Sequence, residues 1–112
     1  MSWSTLAYGG GQALVLLRPT ASPYQYTVVY SSPVQTLPAA STLNTFSVPN
    51  VAVQAGDLVG MWTDAPTVPF APTGNPADAY SYGFQAPPAA GSTVTMTGAG
   101  TGYRYSMSVT LA

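Results

Sequence analysis

Five side chains in this sequence carry charge: Arg18, Arg104, Asp57, Asp64 and Asp78. With His 0, the usual general base, the base of a catalytic triad and the commonest metal ligand are all missing. With Cys 0, thiol catalysis, zinc-thiolate sites and disulfides are excluded, and nothing about redox compartment follows. What remains is carboxylate chemistry. Asp64 and Asp78 flank a proline-rich stretch and could form the acid and nucleophile of a glycosidase. Both also sit where an aspartate closes a loop by bonding to nearby backbone, and that is the preferred reading.

Asp57 follows Gly56, a residue able to take the positive φ of a tight turn. A calcium site needs 6–8 oxygens, usually with several acids close in sequence, and three scattered aspartates do not supply them. A single structural cation shared with Asp64 or Asp78 is the alternative. Gly56 and Asp57 are therefore read as the pin of a β corner, and an ion pair is expected between one arginine (Arg18 or Arg104) and one aspartate. Gly9-Gly10-Gly11 lacks the following helix and the lysine of a phosphate loop and reads as a reversal. No catalytic residue, metal or cofactor is predicted.

The aromatics are the other candidates. Trp62, Tyr80 and Tyr82 lie beside the proline-rich stretch, and with Asp64 as a polar partner they could stack on a sugar ring and orient it. Tyr103 and Tyr105 lie near the opposite turn. Strand alternation turns most of these rings inward, where aromatics serve as core with hydroxyls reaching a rim.

These residues must be positioned by strands. No apolar stripe of helical period runs between the proline and glycine breakers, so essentially no helix is expected. Strands are predicted over Ser2–Tyr8, Gln12–Arg18, Tyr24–Ser32, Leu43–Val48, Leu58–Thr63, Ala79–Phe84, Ser92–Thr97 and Tyr103–Leu111, with a short extended piece at Val34–Leu37. Gln12–Arg18 is almost continuously apolar, as for a strand covered on both faces, and Pro19 ends it. In Tyr24–Ser32, Tyr24, Tyr26, Val28 and Tyr30 share one face. The corner at Gly56-Asp57 is expected to feed Leu58–Thr63 as a central strand. Ala65–Ala77, with four prolines, is the longest irregular segment, of a length usually found where a loop covers or binds something. Gly98–Gly102 is read as a turn, and Tyr103, Tyr105, Met107, Val109 and Leu111 as the inward set of the last strand. About eight short strands imply an all-β, antiparallel β-sandwich or barrel.

The chain has 112 residues and reads as one domain, 1–112, burying roughly 65% of its unfolded surface. Eleven prolines and eleven glycines do not imply disorder, because 46% of residues are hydrophobic and the aromatics recur with period two. Charged residues make up 4%, against about 25% in an average domain. No basic face exists to bind nucleic acid or an anionic membrane. No apolar run reaches membrane-spanning length, and Met1-Ser2-Trp3-Ser4 lacks the basic and apolar regions of a signal peptide. No Asn-x-Ser/Thr sequon occurs.

Arg18-Pro19-Thr20, Tyr26-Thr27-Val28-Val29, Leu37–Pro49 with Thr45-Phe46, and Val53-Gln54-Ala55-Gly56-Asp57-Leu58-Val59-Gly60 follow one order and spacing. This resembles jelly-roll-like β-sandwich domains of predicted secreted or cell-surface proteins common in actinobacteria. The resemblance covers most of the chain, is best from Arg18 to Trp62 and fades in the proline-rich stretch. It implies fold and a secreted or cell-surface location, and no defined activity. Such domains commonly carry further strand residues ahead of Ser-Trp-Ser. A missing first strand would leave an open sheet edge, which strand exchange with another copy could fill.

Three functions compete. A structural or self-associating surface domain is favoured by the near-neutral polar surface and the β-only pattern, with a homo-oligomer as the expected assembly. A carbohydrate-binding or adhesion module using Trp62, Tyr80, Tyr82 and Asp64 is the alternative, with a glycan as partner. An enzyme is the least supported, because nearly every usual base, nucleophile partner and metal ligand is absent.

Overall fold

A computed structural model describes residues 1–6, 9–40, 42–64, 70–83, 86–105 and 107–110; at Phe70, Ala71, Tyr80, Tyr82 and Arg104 it describes the backbone only. The described strands are β1 (Ser2–Thr5), β2 (Gly11–Pro19), β3 (Gln25–Ser31), β4 (Gln35–Thr36), β5 (Asn44–Ser47) and β6 (Leu58–Thr63). They continue with β7 (Phe70–Pro72), β8 (Ala79–Tyr82), β9 (Thr93–Thr95), β10 (Gly98–Thr101), β11 (Tyr103–Tyr105) and β12 (Met107–Thr110). All pairings are antiparallel and no helix occurs among the described residues. The fold is an all-β sandwich, as the alternation predicted.

Strand β2 is the axis of the molecule. From Gly11 to Leu17 every residue is buried, which the unbroken apolar run anticipated. Its inner flank pairs with β4 at Gly11 and Gln12 and with β3 from Val15 to Pro19, and β3 in turn carries β9. Its other flank pairs with β6 from Gln12 to Leu17. Leu58–Thr63 is therefore a strand beside the central one, not the central strand expected from its tryptophan.

The two faces of β2 supply two cores. Leu14 and Leu16 pack with Trp3 and Val48, and with half-buried Phe46, Tyr30, Met107 and Val109. These partners come largely from the second sheet, ordered β12-β1-β5. Trp3 is 1% exposed and its ring lies 4.8 Å from that of Phe46. Val15 and Leu17 point the other way and join Val28 and Met96, with Tyr26, Trp62 and Val94 packed around them. Each such side chain contributes about 1.5–3 kcal/mol by leaving water.

Several boundaries differ from the sequence expectation for identifiable reasons. A bulge lies opposite Leu16 and Leu17, which are in register with Tyr30 and Val28, so Val29 is an extra residue. The bulge reverses the pleat. Tyr26 and Val28 thus join the second core, and Tyr30 the first, although alternation placed all three on one face. Gly98–Thr101, read as a turn, is strand β10, paired with β8. The final strand divides: β11 pairs with β7 and β12 with β1, and Tyr103 and Tyr105 are 38% and 42% exposed instead of inward. Met107 and Val109 keep the inward position expected of them. Within the proline-rich segment Phe70–Pro72 forms β7, while 65–69 lie outside the described residues, as do Phe84 and Leu111. Strand β1 pairs on both sides, with β12 and β5. It is an interior strand, so the open edge expected beside Ser-Trp-Ser is not there.

Candidate functional site

The corner at the entrance to β6 is built from its two expected residues and one more. Gly56 has φ 93°, and the Asp57 N–H donates to the Gln54 carbonyl at 3.1 Å. Asp57 Oδ2 accepts the Gln54 N–H at 2.8 Å, which pins the turn from its side chain. The same carboxylate accepts from Arg18 Nε and Nη2, both at 2.8 Å. This is the arginine–aspartate pair expected from charge alone, now assigned to Arg18 at the end of β2. The Arg18 guanidinium and then the Gln54 amide hold the Asp57 carboxyl below the usual carboxylate range, and Asp57 in return raises Arg18. A carboxylate so occupied has little basicity left for proton transfer.

Asp64 closes the other end of β6. Its Oδ1 accepts the Gly11 N–H at 2.7 Å, and its own N–H donates to the Gly11 carbonyl at 3.3 Å. A Cβ at Gly11 would lie 2.7 Å from Val34 Cγ1 and 3.3 Å from Asp64 Oδ2, so a larger residue there would have to displace the Val34 side chain. Asp78 belongs to the turn after Asn75, where its N–H donates to the Asn75 carbonyl and its carbonyl accepts the Gly102 N–H. Among the described residues no cluster of three or more acidic, histidine or cysteine side chains is placed to hold a metal.

Trp62 is half-buried and packs against Val15, Leu17, Val28 and Met96, so its ring serves the second core while part of it reaches the surface. Tyr80 and Tyr82 lie two residues apart on β8, in register with Gly100 and Gly98; their side chains lie outside the described residues. Among the described residues near the proline-rich segment, a shallow groove of about 330 Å³ is lined by Pro72, Gly74, Pro76, Thr101, Gly102 and Tyr103. Alternation along the last strand points Tyr103 inward, and the break of that strand is what turns it out.

Sequence reasoning missed three buried polar groups. Ser32 Oγ accepts the Leu14 N–H at 2.9 Å and donates to the Pro33 carbonyl at 3.0 Å, replacing a ladder partner where β3 ends. Thr5 is buried in β1. Gln12 is fully buried, donates from Nε2 to Met61 Sδ at 3.0 Å, and its Oε1 meets no donor among the described residues. A polar residue inside an apolar run is the only signal the sequence offers for such groups.

Among the described residues no helix is long and apolar enough to cross a membrane. Comparison with models of known families, with curated proteins and with solved structures returned no match.

Proposed function

We propose that this chain is a non-catalytic structural domain that self-associates at an extracellular surface. One observation carries the reading: Asp57 and Asp64 are both committed to holding backbone, at the two ends of β6. Acids used in this way serve the architecture. With a net charge of −1 the remaining surface offers little repulsion between copies, so close lateral packing has a small electrostatic cost. The extracellular location rests on the polar, nearly uncharged composition and on the resemblance to secreted β-sandwich domains. Sedimentation equilibrium across a wide concentration range, with electron microscopy of the concentrated sample, tests the reading. A mass above the monomer, little changed by salt, is expected; a monomer at every concentration overturns it.

A second reading, a glycan-binding module, draws on the groove beside exposed Tyr103. The ring face and the flanking Thr101 hydroxyl are the kind of surface on which a pyranose stacks. Glycan-array binding that is lost in Tyr103→Ala, with the fold retained, would favour it over self-association alone.

A further inference from the structure

We propose that Met61 is a site of oxidation by peroxides, and that its sulfoxide forms in one configuration because the buried Gln12 amide holds one side of its sulfur. This goes beyond the structural reading and does not rest on self-association.

With Met 4 and Cys 0, thioethers are the only oxidisable sulfur in the chain. The four methionines differ in their surroundings. Met96, 7% exposed, is shut inside the second core, and Met1 and Met107 pack against the first. Met61 is half-buried on β6 and packs against neither core cluster. Val59, two residues along on the same face of the strand, is 54% exposed, so solvent reaches this flank. A thioether is oxidised where the oxidant can reach it.

Gln12 supplies the second observation. Met61 is in register with Leu14 and Thr63 with Gln12, so Gln12 and Met61 are diagonal neighbours on one face of the sheet. The Gln12 side chain is wholly buried, and its Nε2 lies 3.0 Å from Met61 Sδ. Chemistry fixes the direction of the amide: a thioether has lone pairs and no hydrogen to give, so it faces the NH2 group and not Oε1. Oε1 meets no donor among the described residues, which leaves the sulfur as the group that orients this amide.

The hydrogen bond makes the two sides of the sulfur unlike. One lone pair accepts the Gln12 N–H and faces the interior, and the other is left to react. That second pair attacks one oxygen of hydrogen peroxide; an S–O bond forms and the O–O bond breaks. The departing hydroxide takes the proton from the oxygen now on sulfur and leaves as water. Sulfur has lost two electrons and the peroxide has gained them. The product sulfoxide is polar and chiral at sulfur, and reductases can return it to the thioether. Its oxygen points away from Gln12, so the pairing of β6 with β2 is kept.

Peroxide treatment of the native chain, followed by peptic digestion and mass spectrometry, tests this. Met61 is expected to gain oxygen about tenfold faster than Met96, which the second core covers. The two methionine sulfoxide reductases, each specific for one epimer, then read the configuration on the isolated peptide. One should reduce nearly all of the Met61 sulfoxide and the other almost none. Chain oxidised after unfolding in guanidinium should give about half to each enzyme, and so should native Gln12→Leu. Equal epimers in the native wild-type chain, or a Met61 that reacts no faster than Met96, overturn the proposal. A single epimer that persists in Gln12→Leu overturns the part given to Gln12.

Discussion

Arg18 and Asp57 form a two-pronged ion pair, Nε to Oδ1 and Nη2 to Oδ2, each 2.8 Å long, joining the end of β2 to the turn before β6. Because the carboxyl is held below its ordinary value, its contribution to stability is complete above about pH 4, the unfolded aspartate value, and is lost as pH falls through the lower native value. Thermal melts between pH 7 and pH 2 should show wild-type stability falling in that acid window. Asp57→Asn should lower stability at pH 7 and flatten the acid limb. Equal acid slopes in both proteins would contradict the assignment.

Asp64→Ala should cost about 1–2 kcal/mol, because it removes the acceptor for the Gly11 N–H inside a buried strand. Asp64→Asn, which keeps an acceptor oxygen, should lose less. Urea unfolding of the two variants checks the order.

Glycines with positive φ should not behave alike. Gly56, at φ 93°, has open space where a Cβ would go, and Gly56→Ala should cost about 1–2 kcal/mol from backbone strain alone. Gly83, at φ 147°, would put its Cβ against the Thr97 backbone nitrogen and its hydroxyl at 2.6 Å. Gly83→Ala should cost clearly more, and comparable losses at both sites would argue against this packing.

Gln12→Met should be neutral or stabilising by about 1 kcal/mol, since it replaces a buried amide oxygen that has no donor among the described residues with a side chain of similar shape. Trp3→Ala should cost about 3–5 kcal/mol, a large part of the total stability of a domain this size. Calorimetry on both variants, with Trp3→Phe as the milder control, provides the test.

Much of this fold was legible in residue types. The apolar run of β2 announced a strand covered on both faces, and Ala55-Gly56-Asp57 announced the corner. What escaped were features that depend on the partner strand. The bulge at Val29 is a mismatch between two strands and leaves no mark in either alone. Gly98-Ala99-Gly100 has no hydrophobic alternation to advertise a strand and becomes one by pairing with Tyr80–Tyr82. For the candidate site, Asp57 was placed correctly because its partners are three residues away and a single arginine. The role of Asp64 was hidden because the group it binds, the Gly11 N–H, lies 53 residues earlier.

The pairing of Ser2 with Thr110 has a consequence for how the molecule is made. Strand β1 has β5 as a neighbour within about 45 residues of sequence but must wait for the far more distant β12 before its sheet closes. Trp3 stays without its full cover of Met107 and Val109 throughout that interval. Folding is therefore governed by distant contacts and slow by the standard of helical domains. During it the chain presents unpaired strands to its neighbours, so chaperone dependence and expression temperature should affect yield more than final stability does.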